Sequence, residues 1–426
     1  MDKMDKTNKI DKIEFEKERK IVRELAAKYY NIAMSGENLE KARLFRAVND
    51  KKMIRPIVLI DELPWFELNI DHCLDLVCQD SGLRGLEAHF RRSLVRHKYF
   101  GCDLYLNPVF VITKNVQFSG IGVEAEEHTI QTQDGNNIFA HEYKDLLQTE
   151  EDLEKLHNQT ITYNEEATKK YFEFVADIIG DIMPVMITGL SCDYGLGYAV
   201  WDIVSRLRGV TNLLTDLAER PEFMHKTARK LTDILIDKIY KLEEQKLLGV
   251  EQTYIHCTPA LTDDLKRPED FDNIKLNNIW GRAVAQIFGS VSKSMHDEFD
   301  ITYAAEAMKP FGMVYYGCCE PLDRKIDILK RIKNLRKISI TPWADINLAA
   351  ETISGEYVIA AKPNPANVGI GFDENVVRKE IKEIVDASKR YSCSCDIVLK
   401  DTSTVAGKPE QLMKWAQIAM ETVNGY

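Results

Sequence analysis

Apolar residues recur along this chain at two spacings, and the switches between them predict most of its elements. Ile13, Phe15, Ile21, Leu25 and Tyr29 fall at helical spacing among charged residues from about Asp11 to Met34, and a second helix is expected from Asn38 to Val48. At Arg55 the pattern changes. Pro56 to Ile60 is a short apolar run that opens into the polar and aromatic turn of RPIVLIDELPWFELN and reads as a first strand. Helical spacing resumes from Cys73 to Lys98. Leu104 to Thr113, interrupted by Asn107 and Pro108, reads as extended, and Ile182 to Thr188 as a buried strand. Helices are then expected at Asn164 to Gly180, Tyr198 to Arg208 and Pro221 to Leu248.

The last third is the most regular. Strand-like runs at Val250 to Ile255, Met313 to Tyr316, Lys337 to Ile340, Tyr357 to Ala361 and Asp396 to Leu399 alternate with helical patterns. Those patterns cover Asn278 to Phe288, Ser292 to Met308, Ile326 to Leu335, Ile346 to Ile353, Glu374 to Ser388 and Pro409 to Val423. With the three earlier strands this makes about eight, the number in a closed barrel of parallel strands. The expected class is therefore α/β, a (β/α)8 TIM barrel over 55–426 preceded by a helical extension over 1–54. A doubly wound open sheet is the alternative. Between Glu126 and Tyr143 the alternation around Asp134 and Gly135 predicts a hairpin insertion, with His128 and His141 as exposed hairpin residues rather than ligands. Gly195 and Gly197 lack the strand–turn–helix setting of a phosphate loop.

Composition narrows the partners. The 426 residues are 45% hydrophobic and 29% charged, enough for a large core, and the formal net charge of -11 disfavours nucleic acid or an anionic membrane. No apolar run approaches the roughly 20 residues of a membrane span, and the charged start MDKMDKTNKIDKIEFEKERK has no apolar signal core. A cytoplasmic protein whose partners are small molecules or proteins is expected. Nine irregularly spaced cysteines suit reduced thiols.

In a parallel barrel the loops after the strands share one face, so residues just past each run should converge. Here they are Glu62, Trp65, Glu67 and Asn69; Asn107; Ser191 and Asp193; His256 and Cys257; Cys318, Cys319 and Glu320; Trp343 and Asp345; Lys362 and Asn364; Lys400 and Asp401. Taken singly, each could be a loop residue or a helix cap; together they suit a polar reacting centre in an apolar pocket. The stretch FGMVYYGCCEPL is the focus, because a strand there runs straight into two thiols and a carboxylate. Cys319 or Cys318 with Glu320 and His256 would supply the sulfur, oxygen and nitrogen donors that Zn²⁺ accepts.

The string YYGCCEPL, with ISITPWADINLAAE, AAKPNPANV, DIVLKDTSTVAGKPEQLMKWAQIA and RPIVLIDELPWFELN, resembles the uroporphyrinogen decarboxylase superfamily. It is most similar to the branch of corrinoid-dependent methyltransferases of anaerobes, in order from about Arg55 to Ala419. The resemblance implies the same barrel, a homodimer, and methyl transfer involving the cobalt of a corrinoid on a separate protein; no DxHxxG corrinoid-ligand motif occurs here. Decarboxylases of the superfamily carry RQAGR after the first strand, where this chain has LPWFELN, an acidic and aromatic loop unsuited to a polycarboxylate. Members acting on coenzyme M carry H-x-C where this chain has Gly317, Cys318 and Cys319, and a late thiol where it has Lys400 and Asp401. The better match is the first component of an O-demethylase, which takes a methyl from a methoxylated aromatic to cobalt(I). A decarboxylase-like lyase, a methylcorrinoid:thiol methyltransferase and a non-catalytic escort of the corrinoid protein are the alternatives.

An aryl ether leaves poorly until its oxygen is protonated or held by a Lewis acid. Glu320, Tyr316, Lys400 or a zinc ion could meet that need. Trp65, Phe66, Trp343 and Tyr316 would wall the ring slot, with Asn107 or Asn364 orienting substituent oxygens; Glu62, Glu67, His256 and Asp401 complete the expected substrate shell.

Overall fold

The computed structural model describes residues 3–131, 139–193 and 195–426. At its centre is one parallel sheet of six strands: β1 (Ile57–Ile60), β2 (Trp280–Ala283), β3 (Met313–Tyr316), β4 (Leu335–Ile340), β5 (Val358–Ala361) and β6 (Cys395–Leu399). Their spatial order is β1-β6-β5-β4-β3-β2. The registers align Ile57 with Asp396, Ile359 with Cys395, Lys337 with Val358, and Trp280 with Met313. The α/β class therefore stands.

The two faces of the sheet follow the two-residue alternation of a strand. Val58, Ile60, Val314, Tyr316, Ile338, Ile359, Ile397 and Leu399 face a helical layer that includes Glu374–Arg390 and Glu410–Asn424. The opposite face holds Ile57, Leu59, Val358 and Val398 in one cluster and Trp280, Met313, Tyr315 and Ala360 in another. Two N-terminal helices, α1 (Lys3–Ala33) and α2 (Gly36–Asn49), divide the work. α1 packs Val22, Ala26 and Tyr29 against the helices Ser81–Phe100 and Glu165–Ile179. α2 sets Leu44, Phe45 and Val48 against Ile57 and Leu59 of the inner face.

Six strands form the continuous ladder where eight were expected. Of Leu104 to Thr113 only Phe110–Thr113 is a strand, and it pairs in parallel with Val185–Thr188 as a separate sheet. Asn107 breaks the run, its side-chain oxygen accepting from Val109 N at 3.0 Å, an Asx turn ahead of the strand. Val250 to Ile255 contributes only Tyr254–Ile255, paired antiparallel to Thr258–Pro259. Single parallel bridges, Leu190 with Leu248 and Tyr198 with Ala283, and a bond from Asp103 N to Val58 O lead outward from this framework.

One helical expectation is overturned. Asn278 to Phe288 has apolar residues at helical spacing, yet Trp280–Ala283 is the edge strand β2. Burial on both sides explains it: a Cβ on Gly281 would lie 2.7 Å from the Phe311 ring, so the strand is covered too closely to alternate with polar residues. The expected helix from Cys73 begins only at Ser81, where Asp80 caps the amides of Gly82 and Leu83. The hairpin forms between Glu127–Gln131 and Phe139–Tyr143, its Asp134–Gly135 turn lying outside the described residues; His128 and His141 are exposed, opposite Glu142 and Thr129. Among the described residues no helix is long and apolar enough to cross a membrane.

A charged pair is sealed within the inner face. Lys337 Nζ lies 2.8 Å from Asp396 Oδ2, with both side chains fully buried, and also donates to the Pro259 carbonyl at 2.8 Å. Asp396→Ala, which leaves that ammonium unpaired, is expected to cost roughly 3–5 kcal/mol in urea unfolding. The double change Lys337→Met with Asp396→Leu should recover most of the loss; a double variant no better than the single would show that the pair is not an isolated unit.

Candidate functional site

The ends of the strands bring together groups from four separate turns. β3 stops at Gly317, whose φ of +100° no side chain would adopt without strain, and the chain turns there to present two thiols. Cys318 Sγ lies 2.9 Å from His256 Nε2, 3.4 Å from Cys319 Sγ and 4.0 Å from Lys400 Nζ. Lys400 follows β6 and is also held by Asp401 Oδ2 at 2.9 Å and Glu62 Oε2 at 3.2 Å. The other Glu62 oxygen accepts from Cys257 Sγ at 3.4 Å. Cys318 is buried and Cys319 exposed, so the pair spans the wall of the site.

Backbone strain concentrates at the same place. Glu62, His256, Cys257 and Asp401 all have left-handed φ, between 44° and 68°, although none is glycine. Such conformations cost on the order of 1 kcal/mol or more each and persist where the surroundings impose them, as at binding and catalytic sites.

The electrostatics give each group a distinct state. Burial, followed by the positive charges of Arg282, Lys362 and Lys400, pushes the His256 imidazole far below its usual range, so it is neutral and has a lone pair to offer. The hydrogen bond to Cys319 and then burial raise the Cys318 thiol; the same bond lowers Cys319, which makes Cys319 the thiolate-prone member. Glu62 and Asp401 flank Lys400 and shift one another in opposite directions. Burial and the contact with Asp401 raise Glu62, while Asp401, despite burial, is brought down by Glu62 and Lys400. Burial alone would lower Lys400; the Cys318 sulfur, Asp401 and Glu62 outweigh it and hold the ammonium charged.

Several expected site residues lie elsewhere. Glu320 is buried, and its two oxygens accept from Ala285 N at 3.2 Å and Cys318 N at 3.0 Å. It ties the thiol turn to the neighbouring strand end and does not face the mouth. Tyr316 points to the helical layer, its hydroxyl donating to Asp300 Oδ2 at 2.6 Å and lying 2.7 Å from His296 Nε2. The inward residue of that strand is Tyr315, its ring centroid 5.8 Å from that of His256. Glu67 clamps the 404–407 turn, accepting from Thr404 Oγ1, Val405 N and Gly407 N. Asn364 is a turn residue, its side chain accepting from Ala366 N at 3.0 Å.

The aromatic slot does not close as expected. Trp65 and Phe66 border a cavity of about 640 Å³ with Leu63, Arg92 and Thr402, and the Arg92 guanidinium lies 5.3 Å from the Trp65 ring centroid. Trp343 is 68% exposed on another loop and does not line it. Residues that the sequence placed at strand ends without a role matter more. Cys257 joins Glu62 and His256 in a group whose candidate ligand atoms all lie within 4.8 Å of one another. This set, with Cys318 beside His256, is what could hold a metal, and Glu320 is replaced in it by Glu62.

No family model matches the chain, and no curated protein does. Among solved structures it is similar to a methyltransferase from Methanosarcina mazei, with a TM-score of 0.47 and 10% identity over 89% of this chain and 97% of that one. A likeness at that level says nothing of chemistry.

The chemical capacity of the site thus rests on its own groups: a neutral imidazole, adjacent thiols, and an ammonium held between two carboxyl groups. Glu320→Gln turns one acceptor into a donor facing a backbone N–H and is expected to destabilise by roughly 1–3 kcal/mol in denaturant unfolding. Tyr316→Phe should also destabilise, by leaving Asp300 short of a donor. Unchanged stability in Glu320→Gln would return that carboxylate to the list of groups free for chemistry.

Proposed function

We propose that this chain is a methyltransferase that moves a methyl group from a small methoxylated aromatic donor to the cobalt(I) of a corrinoid carried on a separate protein. The observation that carries the reading is the strand-end cluster: His256 against Cys318, with Lys400 tied between Glu62 and Asp401. The sequence resemblance of YYGCCEPL and its companion strings supplies the reaction class. Six parallel strands, with a bridge from Tyr198 to Ala283 at one margin and the Asp103–Val58 bond at the other, support a (β/α)8 barrel over 55–426, with 1–54 as its helical extension.

The donor set fits zinc, since a neutral imidazole, a thiol and a carboxylate stand within reach of one ion. Glu62, His256 and Cys257 would hold it, with Cys318 adjacent. Bound there, the ion would supply a Lewis acid toward an ether oxygen.

The chain's own groups meet the remaining demand. In the transfer the O–CH₃ bond breaks, the carbon–cobalt bond forms, and the aryl oxygen keeps the electron pair. Lys400, held charged by two carboxyl groups, would donate a hydrogen bond to that oxygen and stabilise the negative charge that develops on it, the phenolate taking its proton from solvent on release. Tyr315 presents an inner ring surface beside His256, and Trp65 with Phe66 offers an apolar rim next to Glu62.

Incubation of the pure protein with 4-methoxybenzoate, with and without a reduced corrinoid protein, tests the reading. The phenol and the methylcobalt absorbance should appear only when cobalt(I) is present; loss of carbon dioxide without cobalt would replace it with the lyase alternative. Lys400→Met is expected to slow transfer by about 100-fold or more. Metal analysis of protein purified without added metal should give about one zinc per chain, and His256→Ala or Cys257→Ala should lose it.

A further inference from the structure

Lys362 directly follows β5 and is 5% exposed, yet its Nζ has no hydrogen-bond partner among the described residues. Thr341, just past β4, is 3% exposed, and its Oγ1 likewise has none. The two are neighbours across the ladder, because Lys362 N donates to Ile340 O at 2.8 Å. Strand alternation puts both on the inner face, Thr341 in line with Lys337 and Ser339, Lys362 in line with Val358 and Ala360. A cavity of about 450 Å³ reaches both residues from the helical side, where Ile340, Ala361 and Ile384 line it, so it is not the space their side chains face.

Asp396 gives Oδ2 to Lys337 at 2.8 Å and keeps Oδ1 buried without a partner among the described residues. The other acids nearby are committed to other groups. Asp345, which borders the same cavity, caps its helix through Asn347 N and Leu348 N, and Glu380 accepts from Asn364 N at 2.8 Å and Asn367 Nδ2 at 3.1 Å. None of them forms an ion pair with Lys362 among the described residues. After burial, Asp396, Cys257, Lys400 and Lys337 bear in that order on the charge of Lys362, which follows β5 between β4 and β6. A buried ammonium next to a buried hydroxyl, neither with a partner, is a cradle for an oxyanion.

We propose that Lys362 and Thr341 bind the carboxylate of the substrate, one oxygen accepting from Nζ and the other from Oγ1. This rests on the small-molecule reading above and narrows its donor to methoxylated aromatic acids. Burial lowers the Lys362 ammonium's pKa, and a bound carboxylate would raise it again.

Calorimetric binding of 4-methoxybenzoate and of uncharged 4-methoxybenzyl alcohol, with no corrinoid present, tests the assignment. Wild type is expected to bind the acid at least about 10-fold more tightly than the alcohol. Lys362→Met should erase the preference, Lys362→Arg should keep part of it, and Thr341→Val should weaken acid binding alone. Lys362→Met should also melt no lower than wild type, since it removes an unpaired buried charge; a clear loss of stability would mark Lys362 as a structural ion and overturn the proposal. So would equal affinity for both compounds, binding of neither, or a preference that survives Lys362→Met. If the acid binds as expected but no phenol forms with reduced corrinoid, the carboxylate site stands and the methyl-transfer reading falls.

Discussion

A parallel sheet covered on both faces has no solvent side, so every polar group on its inner face must find its partner within the protein or in a ligand. That constraint orders this molecule from the floor of the sheet upward. Lys337 is held by Asp396 Oδ2 and the Pro259 carbonyl, while Asp396 Oδ1 has no partner among the described residues. Further along the strands the cations are held less completely: Lys400 is shared between two carboxyl groups and a sulfur, and Lys362 is left unpaired. The gradient from paired to unpaired cation runs toward the strand ends, where the thiols and the imidazole stand.

The backbone follows the same gradient. The ladder is continuous apart from a register shift between Val314 and Tyr315, and four of the left-handed residues, Glu62, His256, Cys257 and Asp401, sit just past strand ends. Holding four non-glycine residues there requires rigid support on either side. Glu320 bonded to two amides and Glu67 bonded across the 404–407 turn supply part of it. Glu320, expected as a catalytic acid, and Glu67, expected in the substrate shell, thus serve the loops that carry the chemistry. A site built this way is fixed before any ligand arrives, which matters because small misplacements of reacting groups are costly in rate.

The sequence was most legible where one physical signal dominated. Met313–Tyr316, Leu335–Ile340, Val358–Ala361 and Cys395–Leu399 were found within a residue or two because buried strands between amphipathic helices have a distinctive rhythm. Trp280–Ala283 was misread because double-sided burial erases alternation, leaving an accidental helical spacing. Among site residues, those brought to the cluster, His256, Cys318, Cys319, Lys400, Glu62 and Asp401, share one property: each stands at or just past the end of a strand-like run. The errors came from facing. Tyr316 and Tyr315 differ by one position and so by one side of the sheet, and composition gives no hint which side carries the chemistry; counting alternate residues back from Gly317 does.

The exchange of roles between Glu320 and Glu62 makes the same point about carboxylates. Glu320 is adjacent in sequence to both thiols, yet its position two residues past Cys318 lets its side chain fold back onto the amide of its own turn, where a buried carboxylate is best satisfied. Glu62 is 256 residues away from Cys318 in the chain and reaches the cluster only because β1 and β6 are paired, which sets Ile60 beside Leu399 and so brings Glu62 within 3.2 Å of Lys400. Glu62 stands beside Lys400 and Cys257, whereas Glu320 has both oxygens bonded to amides and faces no other group of the cluster. The acid that matters is therefore the one delivered by strand pairing, and the pairing of the first strand with the last is what makes a site out of these residues.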